Sequence, residues 1–450
     1  MPLIRSISGL RATLGDSLTP SIVADYTAAF SALQPQGPIV VGRDGRPSGT
    51  WIADVVLGTL RACGRTVHML DLVPTPTVQL FTEHSDAAGG IAITASHNPA
   101  PWNGLKFIGA DGVFLDAAQN DALWHHVDNR LFVLSADQQS GNVVHVDNAI
   151  ERHISTILGL SVVQRAPHAN GKRVVVDAVN CSGSFIVPKL LERFGYTVIP
   201  LHCDGSGIFP HVPEPTAENL TGLGEAVREQ RADFGIAVDP DGDRLVLYDE
   251  HGEPIGEENT IALATAAVLA YGNTGPVVVN YSTTRVVDDV AAAAKQTTYR
   301  APVGEINVVR RMQNVGAVIG GEGSGGVIYP ACHYGRDAMV GIGLVTALLR
   351  LKAVTMSAAV AELPRYDMIK TKMTLDHRAA IGPLLDECRK AFADAIIHDD
   401  DGLHAAWTDR WVHVRASNTE PIMRIIAEAP SFEEAQRLIA RVTDLQERSA

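Results

Sequence analysis

The chain has few cysteines and no long apolar run. Its cysteines are odd in number and scattered, with no CxxC spacing: Cys63, Cys181, Cys203, Cys332 and Cys388. This usage is typical of reduced thiols, so we expect a cytoplasmic location. No stretch of about 18 apolar residues occurs, and we therefore expect no membrane-spanning helix. The N-terminal residues lack a long apolar stretch, so we also expect no signal peptide.

Positive charge is scarce as well. There are 37 Lys and Arg residues against 51 Asp and Glu residues, which gives a net charge of −14. A field of this sign repels nucleic acid and anionic membranes, so we expect neither as a partner. An anionic ligand would need a local basic pocket. The 450 residues are 46% apolar and 20% charged, which is ordinary globular composition, and the length predicts about three or four domains.

Three segments of the sequence resemble one another. Each begins with a short apolar strand, a small-residue turn and a helix-like stretch, starting at Pro38, Arg173 and Pro276. Each later contains a strand followed by a polar loop: TASHNP, DPDGDR and GGEGSGG. Apolar β-branched strands that alternate with helices predict largely parallel sheets, so we expect three similar α/β domains. The alternative is that βαβ segments look alike by composition alone.

The last part of the chain has a different order. From about Asp367 it is typical of a strand, a helix, a hairpin and a final helix, which predicts an α+β domain. We place a linker near 363–367. The predicted domains are 1–150, 151–255, 256–365 and 366–450.

The loop TASHNP offers a nucleophile. Ser96 follows the strand GGIAI, and a serine at a strand-to-loop turn exposes its hydroxyl as a nucleophile requires. His97 is adjacent, and Lys106 lies ten residues further on, where it could supply a donor or a proton. The alternative is a Ser/Thr turn beside a surface histidine.

The loop DPDGDR predicts a cation site. Asp239, Asp241 and Asp243 alternate between two strands, and three carboxylates this close repel one another unless a cation lies among them. Oxygen-only ligands select Mg²⁺ or Ca²⁺. An EF-hand is disfavoured because Arg244 stands where that loop requires glycine. The remaining alternative is an Asp-rich hairpin.

Two further loops and several arginines predict phosphate and sugar binding. Glu322 and Ser324 lie in GGEGSGG, where glycines let backbone approach a ligand closely, although a flexible hairpin is an equal alternative. The segment RASNTEPIMR offers a guanidinium, hydroxyls and backbone N–H groups for a phosphate, through Arg415, Ser417, Asn418 and Thr419. Its alternative is a polar turn that ends a hairpin. Positive charge near Ser96 comes from Arg11, Arg43 and Arg46.

Together and in this order, the four loops resemble those of the α-D-phosphohexomutases, and the resemblance covers nearly the whole chain. It implies four domains around a central cleft. It also implies interconversion of hexose or hexosamine 6-phosphates and 1-phosphates through a phosphoserine and a sugar bisphosphate. A sugar 1,6-bisphosphate would act as primer, and the protein would be a monomer or homodimer.

The resemblance assigns roles residue by residue. Ser96 would carry the phosphoryl group with His97 beside it. Three carboxylates would hold Mg²⁺ together with a phosphoryl oxygen on Ser96: Asp239, Asp241 and Asp243. The groups around the transferring phosphoryl would be Arg11, Lys106 and Arg244. The sugar hydroxyls would bind Glu322 and Ser324, and the unreactive phosphate would bind Arg415, Ser417, Asn418 and Thr419.

One position departs from the family. Many members have a histidine directly after the sugar-loop Ser-Gly, and here that position is Gly326, so its acid/base role cannot be transferred; His333 is a possible substitute. The strings SISGLRATLGDSLTP, APWNGLKF and APVGEINVV are more similar to the phosphoglucosamine mutase branch. A dual phosphomannomutase/phosphoglucomutase is the closest alternative, followed by a Mg²⁺-dependent sugar phosphatase and a non-catalytic sugar-phosphate sensor.

Overall fold

The computed structural model describes residues 3–132, 134, 140–375, 377–416 and 422–449. They form four β-sheets with helices packed on their faces. Among these residues, no helix is both long and apolar enough to cross a bilayer. The expected fold class is confirmed: three similar α/β units and a C-terminal α+β unit surround a central cleft. The domain boundaries at 150, 255 and 365 stay a prediction.

The first sheet has seven strands in the order β1-β2-β6-β5-β3-β4-β7. Its strands are β1 (Ile4–Ser6), β2 (Gly9–Thr13), β3 (Ile39–Arg43), β4 (Val67–Leu72), β5 (Gly89–Ile93), β6 (Trp102–Gly109) and β7 (Val143–His145). Its helices are α1 (Pro20–Leu33), α2 (Gly49–Ala62), α3 (Thr75–Glu83) and α4 (Ala117–Asp128). Strands β3, β4 and β5 run parallel, and β6 pairs antiparallel with β5.

The second sheet has the order β11-β10-β8-β9. Its strands are β8 (Arg173–Asp177), β9 (Thr197–His202), β10 (Phe234–Val238) and β11 (Leu245–Tyr248). The helices of this region are α5 (Ala149–Gly159), α6 (Ser161–Gln164), α7 (Gly183–Arg193) and α8 (Thr221–Gln230). Helix α7 is followed by Gly195 at φ +88°, a left-handed conformation that favours glycine, as expected at the end of a helix.

The third sheet has the order β13-β12-β14-β15. Its strands are β12 (Val277–Asn280), β13 (Thr298–Ala301), β14 (Ile319–Glu322) and β15 (Gly326–Ile328). The helices are α9 (Glu257–Ala270), α10 (Val286–Ala293), α11 (Glu305–Val315), α12 (Ala338–Lys352) and α13 (Met356–Ala361). Helix α12 is buried almost throughout, because it lies in one apolar core shared by the second and third sheets.

The three sheets share one topology. Each contains a core of three parallel strands and one antiparallel strand, in the orders β6-β5-β3-β4, β11-β10-β8-β9 and β15-β14-β12-β13, and the first sheet adds β1 and β2 beyond β6 and β7 beyond β4. In each of these four-stranded cores, the loop that joins the antiparallel strand to its parallel neighbour (β5–β6, β10–β11 and β14–β15) is one of the loops singled out in the sequence. The repeat is therefore topological, and it puts one polar loop at the same place in each unit.

The C-terminal sheet is antiparallel, in the order β16-β20-β19-β18-β17, and has its own apolar core. Its elements are β16 (Asp367–Thr374), a 3-10 turn (Arg378–Ala380), α14 (Ile381–Ala391), β17 (Ile396–His398), β18 (Leu403–Ala406), β19 (Trp411–Ala416), β20 (Ile422–Ala429) and α15 (Phe432–Ser449). Strands β17 and β20 are absent from the order expected from sequence. The carboxylate of Glu428 joins this sheet to the third unit, where it accepts the Thr284 hydroxyl and the Arg285 backbone N–H at 2.8 Å.

Candidate active site

Ser96 is buried in the turn between β5 and β6 and has a left-handed backbone, with φ +50°. A non-glycine residue in this region is strained and needs support from its surroundings. The backbone N–H of Ser96 donates a hydrogen bond to Oγ1 of Thr94 at 2.8 Å. The Ser96 carbonyl oxygen accepts a hydrogen bond from Nη2 of Arg46 at 2.5 Å. The turn is thus held from both sides, with the hydroxyl presented at its tip.

Arg46 is a structural support for this turn. Its guanidinium donates to the Asn98 carbonyl at 2.7 Å and pairs with Oδ2 of Asp44 at 3.0 Å, and the same carboxylate oxygen accepts the Thr94 hydroxyl. Both charged groups are buried. Arg43 pairs instead with Asp71 at 2.8 Å. Neither arginine lines the central cavity described below.

The carboxylates of Asp239, Asp241 and Asp243 converge in the turn between β10 and β11, and all three are buried. Oδ2 of Asp239 accepts the Ser96 hydroxyl at 2.8 Å. Its other oxygen accepts the backbone N–H groups of Asp243 and Arg244, each at 3.1 Å. The loops of the first and second sheets therefore meet at the serine hydroxyl.

Lys106 neutralises part of this acidic cluster. Its Nζ lies 2.6 Å from Oδ2 of Asp241 and 3.0 Å from Oδ2 of Asp243. Burial opposes the charge of Lys106, but the two carboxylates outweigh it and raise the pKa of the ammonium. Burial and the neighbouring carboxylates raise the pKa of Asp239 well above its ordinary value. For Asp243, Arg336 and Lys106 overcome burial and lower the pKa.

The acidic cluster fits a divalent cation. One carboxylate oxygen from each of the three residues lies within 4.8 Å of the others. Oδ1 of Asp241 and Oδ1 of Asp243 are buried without a hydrogen-bond partner. Unpartnered buried carboxylate oxygens are costly, and a hard cation with oxygen ligands would satisfy them. Mg²⁺ suits the donor set, because all the side-chain ligands are oxygens.

His97 and two arginines line the opening beside Ser96. Nδ1 of His97 lies 3.3 Å from the Ser96 Oγ. Burial and the cationic Arg244 and Arg11 lower the pKa of His97 to about 2, so the imidazole is neutral. Burial also lowers the pKa of Arg11, whose Nη1 donates to Oδ1 of Asn98 at 2.9 Å. Of the basic residues predicted around Ser96, Arg11 and Arg244 line the cavity, whereas Arg43, Arg46 and Lys106 do not.

Glu322 ends β14 and its carboxylate faces the cavity. Oε1 accepts the Asn280 amide at 2.8 Å and the Gly304 backbone N–H at 3.0 Å. Oε2 accepts Nη1 of Arg336 at 2.7 Å. Ser324 follows in the same turn and also lines the cavity. Both predicted sugar-loop residues therefore line the same cavity as His97 and Arg244.

Arg336 is a central residue that the sequence reasoning did not identify. Its guanidinium contacts Oδ2 of Asp243 at 2.6 Å, Oε2 of Glu305 at 3.1 Å and Oε2 of Glu322 at 2.7 Å. These contacts raise its pKa well above the ordinary value, although burial opposes them. The small residue Gly326 leaves room for this side chain, because a Cβ there would lie 2.4 Å from Cδ of Arg336.

The proposed substitute for the missing histidine does not lie in the cavity. His333 is buried, and its Nε2 lies 3.0 Å from Oδ2 of Asp337, which also contacts Nε2 of His153 at 2.8 Å. The two imidazoles thus share one carboxylate away from Ser96. His333 thus lies outside the cavity lining and makes no recorded contact with Ser96, so the acid/base role suggested for it gains no support from this placement.

A cavity of about 520 Å³ lies between the four units, and residues of all four line it. The C-terminal sheet contributes Lys370, Arg415, Arg424 and Ile426 to its lining. Arg415 and Arg424 are neighbours across β19 and β20, and Nε of Arg415 lies 3.3 Å from Oδ1 of Asp401. Three predicted phosphate ligands lie outside the described residues: Ser417, Asn418 and Thr419.

The buried serine, the acidic cluster and the arginines of the cavity wall lie together between similar α/β units, an arrangement that suits an anionic ligand and a divalent cation. Models of the phosphoglucomutase/phosphomannomutase family match the chain throughout: the alpha/beta/alpha domains I, II and III at 4–133, 151–252 and 257–366, and the C-terminal domain at 378–445. The chain belongs to this family of phosphohexomutases.

Individual relatives span nearly the whole chain. A "Phosphoglucomutase/phosphomannomutase" of Thermococcus kodakarensis is 33% identical, covering 96% of this chain and 95% of its own. A "Probable phosphoglucosamine mutase" of Methanopyrus kandleri is 32% identical, covering 98% and 97%. A solved phosphoglucomutase/phosphomannomutase family protein of Burkholderia thailandensis matches with a TM-score of 0.85 and 25% identity, covering 98% and 97%. The resemblance to the phosphohexomutases that the sequence indicated is confirmed.

Proposed function

We propose that the protein interconverts a hexosamine 6-phosphate and 1-phosphate, with the phosphoryl group carried on Ser96. The observation that carries this proposal is the 2.8 Å contact between the Ser96 hydroxyl and Asp239, inside a buried acidic cluster that faces a cationic cavity. A strained, well-supported serine beside a cation site is an arrangement that suits a phosphoryl carrier.

In the first half-reaction, a sugar hydroxyl oxygen attacks the phosphorus of phosphorylated Ser96. The new bond is between phosphorus and the sugar oxygen, the broken bond is between phosphorus and Oγ, and the proton of the sugar hydroxyl passes overall to the departing Oγ. The product is a sugar bisphosphate and free Ser96. The bisphosphate then turns over in the cavity, and its other phosphoryl group returns to Oγ, so no phosphate is lost.

The residues around Ser96 have distinct tasks in this scheme. Arg11 and Arg244 stabilise charge on the transferring group, and neutral His97 orients the serine oxygen. Asp239, Asp241 and Asp243 would hold Mg²⁺. When bound, this ion polarises the phosphoryl oxygen and offsets developing negative charge.

The remote parts of the cavity bind the rest of the sugar phosphate. Arg415 and Arg424 fit the unreactive phosphate, because two adjacent guanidiniums give a planar, charge-assisted site for phosphate oxygens. Glu322 and Ser324 fit the sugar hydroxyls. A cavity formed by four units also excludes water, which would otherwise hydrolyse the phosphoserine.

The sugar we propose is glucosamine phosphate, with a dual phosphomannomutase/phosphoglucomutase as the second candidate. The relatives carry both names at nearly equal identity, so identity alone does not separate them. The cavity wall near the sugar loop carries carboxylates, with Glu258 close to Gly323 and paired with Lys370, and carboxylate oxygens accept hydrogen bonds from the ammonium group of such a sugar.

Two other classes fit the cavity less well. A sugar phosphatase would need no separate guanidinium pair for an unreactive phosphate, yet Arg415 and Arg424 line the cavity. A non-catalytic sensor would need no strained, buried nucleophile, yet Ser96 has φ +50° and contacts a carboxylate. Both arguments favour a mutase.

The deciding experiment is coupled turnover of glucosamine-, glucose- and mannose-phosphates with Mg²⁺ and a bisphosphate primer. We expect glucosamine phosphate to have the highest kcat/KM, with measurable glucose-phosphate turnover. Mannose- and glucose-phosphate turnover above that of glucosamine phosphate would favour the dual enzyme. Release of inorganic phosphate without isomerisation would contradict the mutase.

A further inference from the structure

A second group of metal-type side chains lies outside the cavity, at the edge of the second sheet. Asp177 ends β8 and His202 ends β9, so these parallel strands bring both side chains to one edge. His211 comes from the long loop that follows β9. Nδ1 of His202 and Nε2 of His211 lie 2.9 Å and 3.0 Å from the same oxygen, Oδ2 of Asp177.

The hydrogen bonds of His211 determine which ring nitrogen carries its proton. Nδ1 of His211 lies 2.9 Å from the backbone carbonyl oxygen of Val212. A carbonyl oxygen only accepts, so Nδ1 is the donor and a neutral His211 has its lone pair on Nε2. That lone pair faces the Asp177 carboxylate. The contact is repulsive unless a cation, either a second proton or a metal ion, lies between them.

The local geometry suits a metal ion. The three ligand atoms lie within 4.8 Å of one another, and ligand atoms of a tetrahedral zinc site are ~3.3 Å apart, so only small shifts are required. Oδ1 of Asp177 accepts the Val179 backbone N–H at 2.9 Å, which fixes the carboxylate. Such outer contacts orient metal ligands, as does the Val212 carbonyl that fixes the His211 ring.

Access and donor type favour a transition metal. Asp177 is buried, but the side chains of His202 and His211 are 29% and 19% exposed, which leaves a path for an ion and space for water as a fourth ligand. Two imidazole nitrogens and one carboxylate select Zn²⁺ or Co²⁺ over Mg²⁺. The oxygen-only cluster at Asp239 has the opposite preference, so the two sites take different ions.

We propose that Asp177, His202 and His211 form a Zn²⁺ site that fixes the loop 203–220. This loop reaches the central cavity, where Oε1 of Glu214 lies 3.9 Å from Nε2 of His97 and 3.9 Å from Nη1 of Arg244. A bound ion connects the strand ends to the loop only three positions before Glu214. Zn²⁺ therefore restrains the segment that carries Glu214, whatever reaction the cavity supports.

The test is a Co²⁺ titration of chelator-treated protein in excess Mg²⁺, followed by visible absorbance. We expect one Co²⁺ ion to bind per chain and to give the visible absorbance band of cobalt held by nitrogen and oxygen ligands. His202→Gln and His211→Gln should each weaken binding by roughly 100-fold or more, since loss of a direct ligand costs at least as much as loss of an outer contact. His251→Gln is the matched control, because His251 is in the same region and 69% exposed.

Two further readouts separate a metal ion from a proton. Zn²⁺ calorimetry in two buffers at about pH 6 should detect release of about one proton per ion, since the metal displaces the proton of His211. Hydrogen exchange of residues 203–220 should slow on Zn²⁺ addition in the native sequence and not in His211→Gln, with circular dichroism confirming that the variant is folded. Absence of Co²⁺ binding, or equal affinity in His211→Gln, would show an imidazolium–carboxylate pair only and overturn the proposal.

Discussion

The hydroxyl of Ser96 and the carboxylate of Asp239 lie 2.8 Å apart although 143 positions separate them in the chain. Ser96 lies in the β5–β6 turn and Asp239 in the β10–β11 turn, which are equivalent turns of two sheets with the same topology. The repeat therefore brings a serine from one copy into contact with an aspartate from the next.

The first prediction concerns the phosphoryl carrier. Ser96→Ala should abolish mutase activity, because no other hydroxyl among the described residues lies against Asp239 at hydrogen-bond distance. Peptide mass spectrometry of the native protein should find phosphate on Ser96. Ser21→Ala, on an exposed serine of α1, is the matched control and should keep full activity. Full activity of Ser96→Ala would show that the assignment is wrong.

The second prediction concerns the metal. Exhaustive chelation should abolish turnover, and Mg²⁺ should restore it. Asp241→Asn should lower kcat by at least ~100-fold, because loss of one ligand weakens both ion binding and charge stabilisation. Asp54→Asn, on an exposed residue of α2, should have no effect. Turnover that survives chelation would contradict a metal-dependent reaction.

The third prediction concerns the guanidinium pair on the C-terminal sheet. Arg424→Gln should raise KM by roughly 10–100-fold with little change in the phosphorylation of Ser96, because a charge-assisted hydrogen bond contributes about 1.5–3 kcal/mol. Arg410→Gln is the control, in the turn between β18 and β19 of the same unit, with its side chain 37% exposed. An unchanged KM in Arg424→Gln would place the unreactive phosphate elsewhere.

Much of the fold could be predicted from sequence because its signals are local. Apolar β-branched runs such as RVVVD mark the central strands, and polar loops after them mark the site. Strand β20 was missed although Met423, Ile425 and Ala427 are buried in alternation with Arg424 and Ile426. In the sheet it lies between β19, which directly precedes it in sequence, and the more distant β16, and the pairing with β16 has no local signal.

The charge pairs of the site were harder to predict from the sequence than its loop motifs. Arg336 lies in no loop motif, and its importance comes from three carboxylates contributed by distant positions. His333 looked available because it is close in sequence to the sugar loop. Asp337 is only four positions from His333, but the contact that this carboxylate also makes with His153 joins residues 184 positions apart and could not be inferred from spacing.

The fourth prediction concerns pH. Burial raises the pKa of Glu258 to about 7 from an ordinary value of 4.5, although Lys370 opposes this shift. The folded protein thus keeps a proton that the unfolded chain loses, so this contribution to stability is full below pH 4.5 and is lost as the pH rises through about 7. The largest effect is about 3 kcal/mol.

Scanning fluorimetry of the native protein and of Glu258→Gln measures this pH-dependent contribution of Glu258 to stability. The melting temperature of the variant relative to the native protein should rise between about pH 5 and about pH 8, because the variant does not acquire the buried charge. Glu253→Gln, whose side chain is 70% exposed, should show no such change. A constant difference across this range would mean that Glu258 titrates normally.

The last prediction concerns the sugar. Glu322 should bind hydroxyls far from C2, because the bisphosphate must bind in two flipped orientations. Reversing the ring exchanges C1 with C6, while the C3 and C4 hydroxyls occupy similar places, so one loop can serve both half-reactions. Discrimination at C2 should then be modest, on the order of 1–3 kcal/mol, the range for one small group in a pocket.

Glu322→Gln tests this directly. The amide keeps the shape of the side chain but weakens its pairing with Arg336, so kcat/KM should fall by roughly 10–100-fold, the effect of losing a hydrogen bond to a charged group. The fall should be similar for glucosamine-, glucose- and mannose-phosphates, and Glu253→Gln should change none of them. A variant that loses one sugar and keeps the others would show that Glu322 contacts the C2 substituent, because only that position separates the substrates in a way that a fixed carboxylate could detect.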